Sequence, residues 1–212
     1  MRVAPTFDIE RQFSGRIAGI DEAGRGPWAG PVVAAAVILN PYCTPAGLRD
    51  SKTLTEKRRR ALANALWKTA RIGVGVATVG EIDTMNIGRA TMLAMARAAA
   101  NLPISPNVCL VDGNVKPRLA CPAYTVVKGD AKSLSIAAAS IIAKTTRDRM
   151  MQELAIDFPN YAWERNKGYG APAHKDALAR FGVTPHHRRS FAPISALLEP
   201  APRMPWLTPQ ET

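Results

Sequence analysis

Gly15-Arg-Ile-Ala-Gly-Ile20, Asp21-Glu-Ala-Gly-Arg-Gly-Pro-Trp-Ala-Gly-Pro31 and Val32-Val-Ala-Ala-Ala-Val-Ile-Leu39 follow one another without a break, and their reading decides the fold. The outer two are short apolar runs of strand length, and the middle one is punctuated by Gly and Pro. They predict an antiparallel pair joined by a wide loop, with Asn40-Pro41 stopping the second strand. Outward from this pair, Thr55 to Ala70 has a helical pattern: Thr55 can cap, Glu56 suits the first turn, and Leu62, Leu66 and Ala70 share a face. Arg71 to Thr78 alternates at period two and predicts a third strand. Asn86 is expected to cap a second helix running through Ala100 to a stop at Pro103. Asn107–Val111 and Tyr124–Lys128 are short strand candidates. A long helix should span Ser133 to Ala155, its Ala137-Ala-Ala-Ser140 stretch smooth enough to lie close on a sheet. Ala173–Phe181 ahead of Gly182, and Ile194–Leu198, are shorter helix candidates. Strands alternating with helices after an opening hairpin give an α/β class with a mixed sheet flanked by helices.

The chain has 212 residues, with 28 Lys and Arg against 17 Asp and Glu, a formal net charge of +11. That excess suits a polyanion, because each phosphate neutralised releases condensed counterions. No helix candidate combines a basic face with a Trp, Phe and Leu face, so nucleic acid is favoured over a membrane surface. No apolar run reaches the roughly 18–20 residues that span a bilayer, and the first ten residues lack a secretory apolar region. Cys43, Cys109 and Cys121 are odd in number and well separated in sequence. They read as buried free thiols in a reducing, cytoplasmic setting.

Three strand candidates end alike: Ile20 before Asp21-Glu22, Val111 before Asp112-Gly113, and Lys128-Gly129 before Asp130. Ligands of open α/β sheets bind beyond strand ends, so neighbouring strands would bring four carboxylates together. Such carboxylates repel one another, and hard divalent cations such as Mg²⁺ and Mn²⁺ are their natural oxygen-seeking partners. Two such ions can activate a water and stabilise a leaving phosphodiester oxygen. A strand-terminal Asp before Gly is equally a turn residue or helix cap, and each junction alone reads that way. Three junctions of one form leave both readings open.

Gly24-Arg25-Gly26 lets backbone approach a substrate, and Arg25 could bind phosphate. It is neither a dinucleotide fingerprint nor a P-loop. His174, His186 and His187 lack zinc spacing and are expected to be solvated or to touch phosphate. Lys52, Lys144, Arg188 and Arg189 are candidate phosphate contacts, with solvated charge the alternative. Glu56, Glu81, Asp83, Asp148, Glu153, Asp157, Glu164 and Asp176 read as caps or solvated helix faces. No G-x-S-x-G elbow supports a serine hydrolase.

The stretch Ile20 to Val32 resembles the first motif of the type 2 ribonucleases H (ribonuclease HII). Asp50-Ser-Lys-Thr-Leu54, Glu81-Ile-Asp-Thr-Met-Asn-Ile87, Val111-Asp-Gly113 and Lys128-Gly-Asp130 extend the likeness. Ser135-Ile-Ala-Ala-Ala-Ser-Ile-Ile-Ala-Lys144 and Lys167-Gly-Tyr169 complete seven motifs in the family's order, over about residues 16 to 195. The resemblance implies a ribonuclease H-like fold: a catalytic domain over 15–158, a C-terminal helical segment over 159–200 and a flexible tail over 201–212. It implies a metal-dependent endoribonuclease, a hydrolase that cuts RNA in RNA–DNA hybrids and leaves 5′-phosphate ends. It also implies nicking 5′ to single ribonucleotides embedded in duplex DNA, the opening step of ribonucleotide excision repair. Metal binding and catalysis carry over to Asp21, Glu22, Asp112 and Asp130, with two Mn²⁺ or Mg²⁺ ions. Reading of the ribose 2′-hydroxyl carries over to Gly24, Arg25 and Gly26, and sensing of the adjoining deoxyribose to Tyr169, consistent with the 2′-hydroxyl marking RNA locally. Trp28 stands where the family usually has Leu, Asn166 where it often has His, and Ala171 where it has Thr. These departures bear on substrate preference and rate and leave the four carboxylates untouched. A non-catalytic hybrid-binding module would have lost carboxylates, and a junction resolvase would need neither Gly24–Gly26 nor Tyr169. The protein is expected to act as a monomer. Met204-Pro-Trp-Leu-Thr208 reads as a frayed end, with a sliding clamp the partner it could take.

Overall fold

The structure, a computed structural model, describes residues 4–199. The opening pair forms as the sequence predicts: β1 (Ile17–Ala23) and β2 (Val32–Ile38) are antiparallel, with Asp21 opposite Ala35 and Glu22 opposite Ala34. β1 runs three residues further than expected, so Asp21 and Glu22 lie within the strand and not after it. The unbroken partner run Ala34–Ala36 supports that extension with ladder bonds and small side chains. β3 (Arg71–Ala77) adds antiparallel to β2, while β4 (Val108–Asp112) and β5 (Ala123–Val126) add in parallel beyond β1. The five-stranded order is β3-β2-β1-β4-β5, a mixed sheet.

Helices cover both faces. α1 (Glu56–Thr69) starts where Thr55 accepts from the Arg58 N–H. α3 (Leu134–Asp157) lies with α1 on the face carrying Ala35, Val37 and Ala23, its Ala137–Ala139 buried there. A Cβ on Gly19 of β1 would stand 2.1 Å from the Ser135 carbonyl carbon, so glycine lets α3 rest directly on the strand. α2 (Val79–Ala100) covers the other face through Ala90, Ala94, Met95 and Ala98. It begins eight residues before the expected start, because Thr78 and Glu81 form a reciprocal capping box. Asn86 still caps as predicted, accepting from Arg89 N–H at 3.1 Å, but it does so at a kink inside the helix (φ 69°, ψ 163°).

Past α3 the chain forms α4 (Trp163–Asn166), which the sequence pattern does not announce, then α5 (Pro172–Phe181) and α6 (Ala192–Leu198). Tyr161, Trp163, Leu178 and Ile194 from this region bury against Ala29 of the β1–β2 loop and Met151 of α3. None of the described helices is long and apolar enough to cross a membrane. The tail residues Met204–Thr208 lie outside the described residues.

Two sequence expectations need correction here. The cysteines are free thiols, but only Cys109 is buried: Cys43 is exposed and Cys121 half-buried, and Cys109 and Cys121, though twelve residues apart in sequence, bring their sulfurs to 3.5 Å. His174 and His187 are neither solvated nor set to meet phosphate. Both are fully buried, ring nitrogens 2.9 Å apart, among Tyr161 and Trp163.

Candidate active site

The parallel register places Ile20 beside Val111, so Asp21 and Asp112 emerge together at one end of the sheet. Asp130 follows β5 in a 3-10 turn (Gly129–Ala131), where the Gly129 N–H donates to Asp112 Oδ1 at 2.6 Å. Alternation along β1 then divides the acidic pair. Ala18 and Ile20 face α2 and Ala23 faces α3, so Glu22 belongs to the first face and Asp21 to the second.

Electrostatics tie the group together. Burial pushes the Asp21 carboxyl well above its usual range, and the charges of Glu22, Asp112 and Asp130 push it further. Glu22 is raised by burial against the pull of Arg25, whose guanidinium stands 3.4 Å away. Asp130 is raised by burial, then by Asp112 and Asp50. Each raised value says that a negative charge here lacks a sufficient positive partner.

Asp112 lines two clefts. One, of about 360 Å³, is also lined by Glu22, Arg25, Asn86, Arg89 and Asn114. The other, of about 850 Å³, is lined by Asp50, Lys52, Lys128 and Asp130. Asn86, Arg89, Asn114 and Asp50 escaped the sequence reading as site residues. Only the positive φ of Asn86, invisible in sequence, marks that position as unusual.

The donor set is oxygen alone, with no Cys or His in it, and so fits a hard divalent cation and not zinc. Among the described residues, no three His, Cys, Asp or Glu side chains stand close enough to enclose an ion as they are. Three of the carboxylates have local partners: Asp21 accepts from the Glu22 N–H at 2.8 Å, Glu22 from Arg25, and Asp112 from Gly129. Each tie leaves the carboxylate a second oxygen.

The Gly24-Arg25-Gly26 loop lies beside the acids. A Cβ on Gly26 would be 3.6 Å from the Tyr169 ring, so Gly26 and Tyr169 share one surface, and Tyr169 is exposed. The departures from the family pattern find local roles. Asn166 holds the Lys167–Tyr169 turn, donating to Tyr161 O and accepting from the Gly168 N–H, both at 2.8 Å. Trp28 lies against Gly170, where a Cβ would stand 2.2 Å from the indole. Ala171 precedes α5 without a side-chain cap.

Other expectations fail on burial. Arg188 is fully buried and donates to backbone carbonyls, so it cannot meet a phosphate. Lys144 is paired with Asp148 at 2.5 Å. Asp148 itself is buried between Lys144 and Arg59 and is no solvated helix face. Lys52 does line the larger cleft, beside Asp130.

The family model for ribonuclease HII matches residues 18–194, a span that runs from within β1 into α6. The chain belongs to the ribonuclease HII family. With that membership it is a metal-dependent endoribonuclease of the ribonuclease H type, acting on RNA–DNA hybrids. A ribonuclease HII of Jannaschia sp. is 54% identical over 92% of this chain and 99% of its own. The ribonuclease H2 of Pyrococcus horikoshii OT3 superposes with a TM-score of 0.74 at 27% identity, over 86% of this chain and 97% of that one. The ribonuclease HII solved in a PCNA complex from Archaeoglobus fulgidus gives 0.71 at 27% identity, over 87% and 98%.

Proposed function

We propose that this ribonuclease HII nicks duplex DNA 5′ to a single embedded ribonucleotide, and also cuts longer hybrids, using two divalent cations held by Asp21, Glu22, Asp112 and Asp130. The observation that carries this reading is the shared surface of Gly26 and Tyr169 next to a cluster of four carboxylates, three of which, Asp21, Glu22 and Asp130, are raised by burial and by neighbouring acids. A reader of one ribose needs contacts on the ribonucleotide and on its neighbour, and this surface offers a backbone loop and an aromatic ring for the two.

When bound, Mn²⁺ or Mg²⁺ supplies Lewis acidity to a phosphodiester and lowers the pKa of water. The chain's residues do the rest. The carboxylates fix the position of that chemistry at the strand ends. Gly24–Gly26 present backbone to the 2′-hydroxyl, and the Tyr169 ring packs on the following sugar. Arg25 and Arg89 in one cleft, and Lys52 and Lys128 in the other, draw the nucleic-acid backbone across Asp112.

We read the setting as cytoplasmic, which suits two thiols 3.5 Å apart left unjoined, and the active unit as a monomer. A sliding clamp is a candidate partner, since a neighbouring structure is a PCNA:RNase HII complex.

The test is a duplex with one ribonucleotide, beside an all-DNA duplex and a continuous hybrid, with Mg²⁺, Mn²⁺ or chelator. A metal-dependent nick 5′ to the ribonucleotide, absent from all-DNA, is the expected result. Cutting only the continuous hybrid removes the single-ribonucleotide assignment.

A further inference from the structure

Two arginines hold the substrate loop from beneath. Arg147 of α3 and Arg188 are 1% and 0% exposed, and among the described residues neither forms an ion pair with a carboxylate. Arg147 donates through Nε to Pro31 O at 2.9 Å, through Nη1 to Lys167 O at 2.9 Å and through Nη2 to Ala29 O at 3.1 Å. Arg188 donates to Gly30 O and Arg25 O at 2.9 Å, to Gly24 O at 2.5 Å and to Pro31 O at 3.2 Å. All seven bonds end on main-chain carbonyls, six of them within residues 24–31 and the seventh on the residue two before Tyr169. Gly24, at φ +96°, lies so close that a Cβ there would be 2.0 Å from Arg147 Nε.

The main chain adds its own bonds between the same segments. Trp28 and Ala29 N–H groups donate to Gly168 O, Gly30 N–H to His186 O, and Arg188 N–H to Trp28 O. Loop, Lys167–Tyr169 turn and Arg188 segment thus form one hydrogen-bonded unit. Burial lowers both guanidiniums, to about 10 and about 9, so both remain charged at neutral pH. Burying two cations without acids is costly, and apolar side chains could fill the space without that cost. What a guanidinium adds is direction: a rigid fork fixes where each carbonyl points and therefore how the peptide planes of Gly24–Gly26 are set.

We propose that Arg147 and Arg188 are positioning residues for ribose selection, locking the Gly24–Pro31 loop against the Lys167–Tyr169 turn so that both read one sugar junction in fixed register. The inference rests on the assignment of Gly24–Gly26 and Tyr169 to ribose reading. A merely structural role would cost stability, with activity returning once the protein is folded. A positioning role costs accuracy in the folded protein.

The experiment uses Arg188→Lys and Arg147→Lys in the full chain, assayed well below their melting temperatures with folding checked by circular dichroism. Cleavage of the single-ribonucleotide duplex should slow by about 10- to 100-fold, as for a misplaced reacting group. Cut positions within a short run of ribonucleotides should spread over neighbouring bonds. Affinity for an all-DNA duplex should stay within about 2-fold, because the clefts' cations are untouched. Folded variants that keep the wild-type rate and cut position overturn the inference. Should neither variant fold, hydrogen exchange on the wild type decides: amides of 24–31 and 167–169 opening together support it, and independent opening overturns it. Wild type that cuts ribonucleotide and all-DNA duplexes alike overturns the ribose-reading assignment, and the inference with it. Discrimination by wild type with unaffected variants removes the inference alone.

Discussion

The acidic end of the sheet and the arginine pair beneath the neighbouring loop are both clusters of like charge, and they are resolved in opposite ways. Arg147 and Arg188 are close enough for the charge of Arg147 to lower the proton affinity of Arg188, yet their donors make seven hydrogen bonds to six main-chain carbonyls. Asp21, Glu22, Asp112 and Asp130 repel one another as well, but among the described residues they have few donors: one N–H each for Asp21 and Asp112, the Arg25 guanidinium at 3.4 Å for Glu22, and the charge of Lys52 near Asp130. A charge cluster whose needs are met internally holds a shape. One whose needs are left unmet is ready to take its partner from solution. Charge density alone therefore does not separate structure from chemistry; satisfaction does.

The most severe challenge to this contrast is to remove one unmet charge. Asp112→Asn should lower cleavage by more than about 100-fold, beyond what the loss of an outer hydrogen-bond partner of a metal costs. The fold should persist, because the amide oxygen of the substituted side chain could still accept from Gly129 N–H. Single-turnover cleavage and circular dichroism check both halves, and near-normal turnover would remove Asp112 from the site.

The second effect is on stability. Asp21 is raised in the folded state, so its charged form weakens the fold: the stabilising contribution is present below its unfolded pKa and lost as pH rises through its folded pKa. In chelator at neutral pH, Asp21→Asn should therefore melt above wild type. Saturating Mn²⁺ should reverse the order, adding about 2.7 kcal/mol at a hundredfold excess over Kd to the wild type and much less to the variant. Melting curves that keep the variant on top in Mn²⁺ would contradict a metal role for Asp21.

These two regions were unequally legible in the sequence. The carboxylates stood out because three strand ends carried one local pattern, and the α1 cap and the β1–β2 pair could likewise be read from a few adjacent residues. What local pattern hid was the facing of the acids: extending β1 through Asp21 and Glu22 sends them to opposite faces of the sheet. Of the two arginines, Arg188 was misread as a phosphate contact and Arg147 was not singled out at all. His186-His-Arg-Arg189 has the composition of a solvated basic patch, while the acceptors of Arg188 lie 157 to 164 positions away in the chain and are main-chain atoms. No side-chain pattern could announce them. The start of α2 is a different failure. Its Thr78-x-x-Glu81 signal was present, and the cap at Asn86 drew attention to the second half only.

The arginine region also holds His174 and His187, a third cluster whose needs are met without charge. His187 is depressed to about 4, first by burial and then by His174, and His174 is depressed by burial. Both fold as neutral rings. The unfolded chain binds protons below about 6.5, so stability is full above that pH and falls as pH drops toward 4. The slope contributed by His187 should approach about 1.4 kcal/mol per pH unit between those limits, with His174 acting in the same direction. Urea unfolding at pH 7, 6 and 5 should show it, and His187→Gln should flatten it. An unchanged slope in the variant would mean that the pair does not carry the acid sensitivity.

The smallest effect is expected where opposite charges meet in water. Glu81 and Arg97 pair at 2.7 Å on an exposed surface, and Glu81 is drawn down to about 2, first by the Arg97 hydrogen bond and then by the Thr78 N–H. So low a value suggests a strong interaction, but solvent and salt screen exposed pairs, and their net worth is typically below about 1 kcal/mol. Part of what Glu81 does is also not ionic, since its Oε2 accepts from Thr78 N–H at 2.9 Å within the capping box, a bond that glutamine can keep. Glu81→Gln should therefore cost less than about 1 kcal/mol, shrink further in high salt and leave cleavage unchanged. Urea titrations at low and high salt would measure it. A loss well above about 1 kcal/mol would mean that an exposed pair can rival a buried cluster, and the distinction between satisfied and unsatisfied charge would then have to be drawn by partner and not by burial.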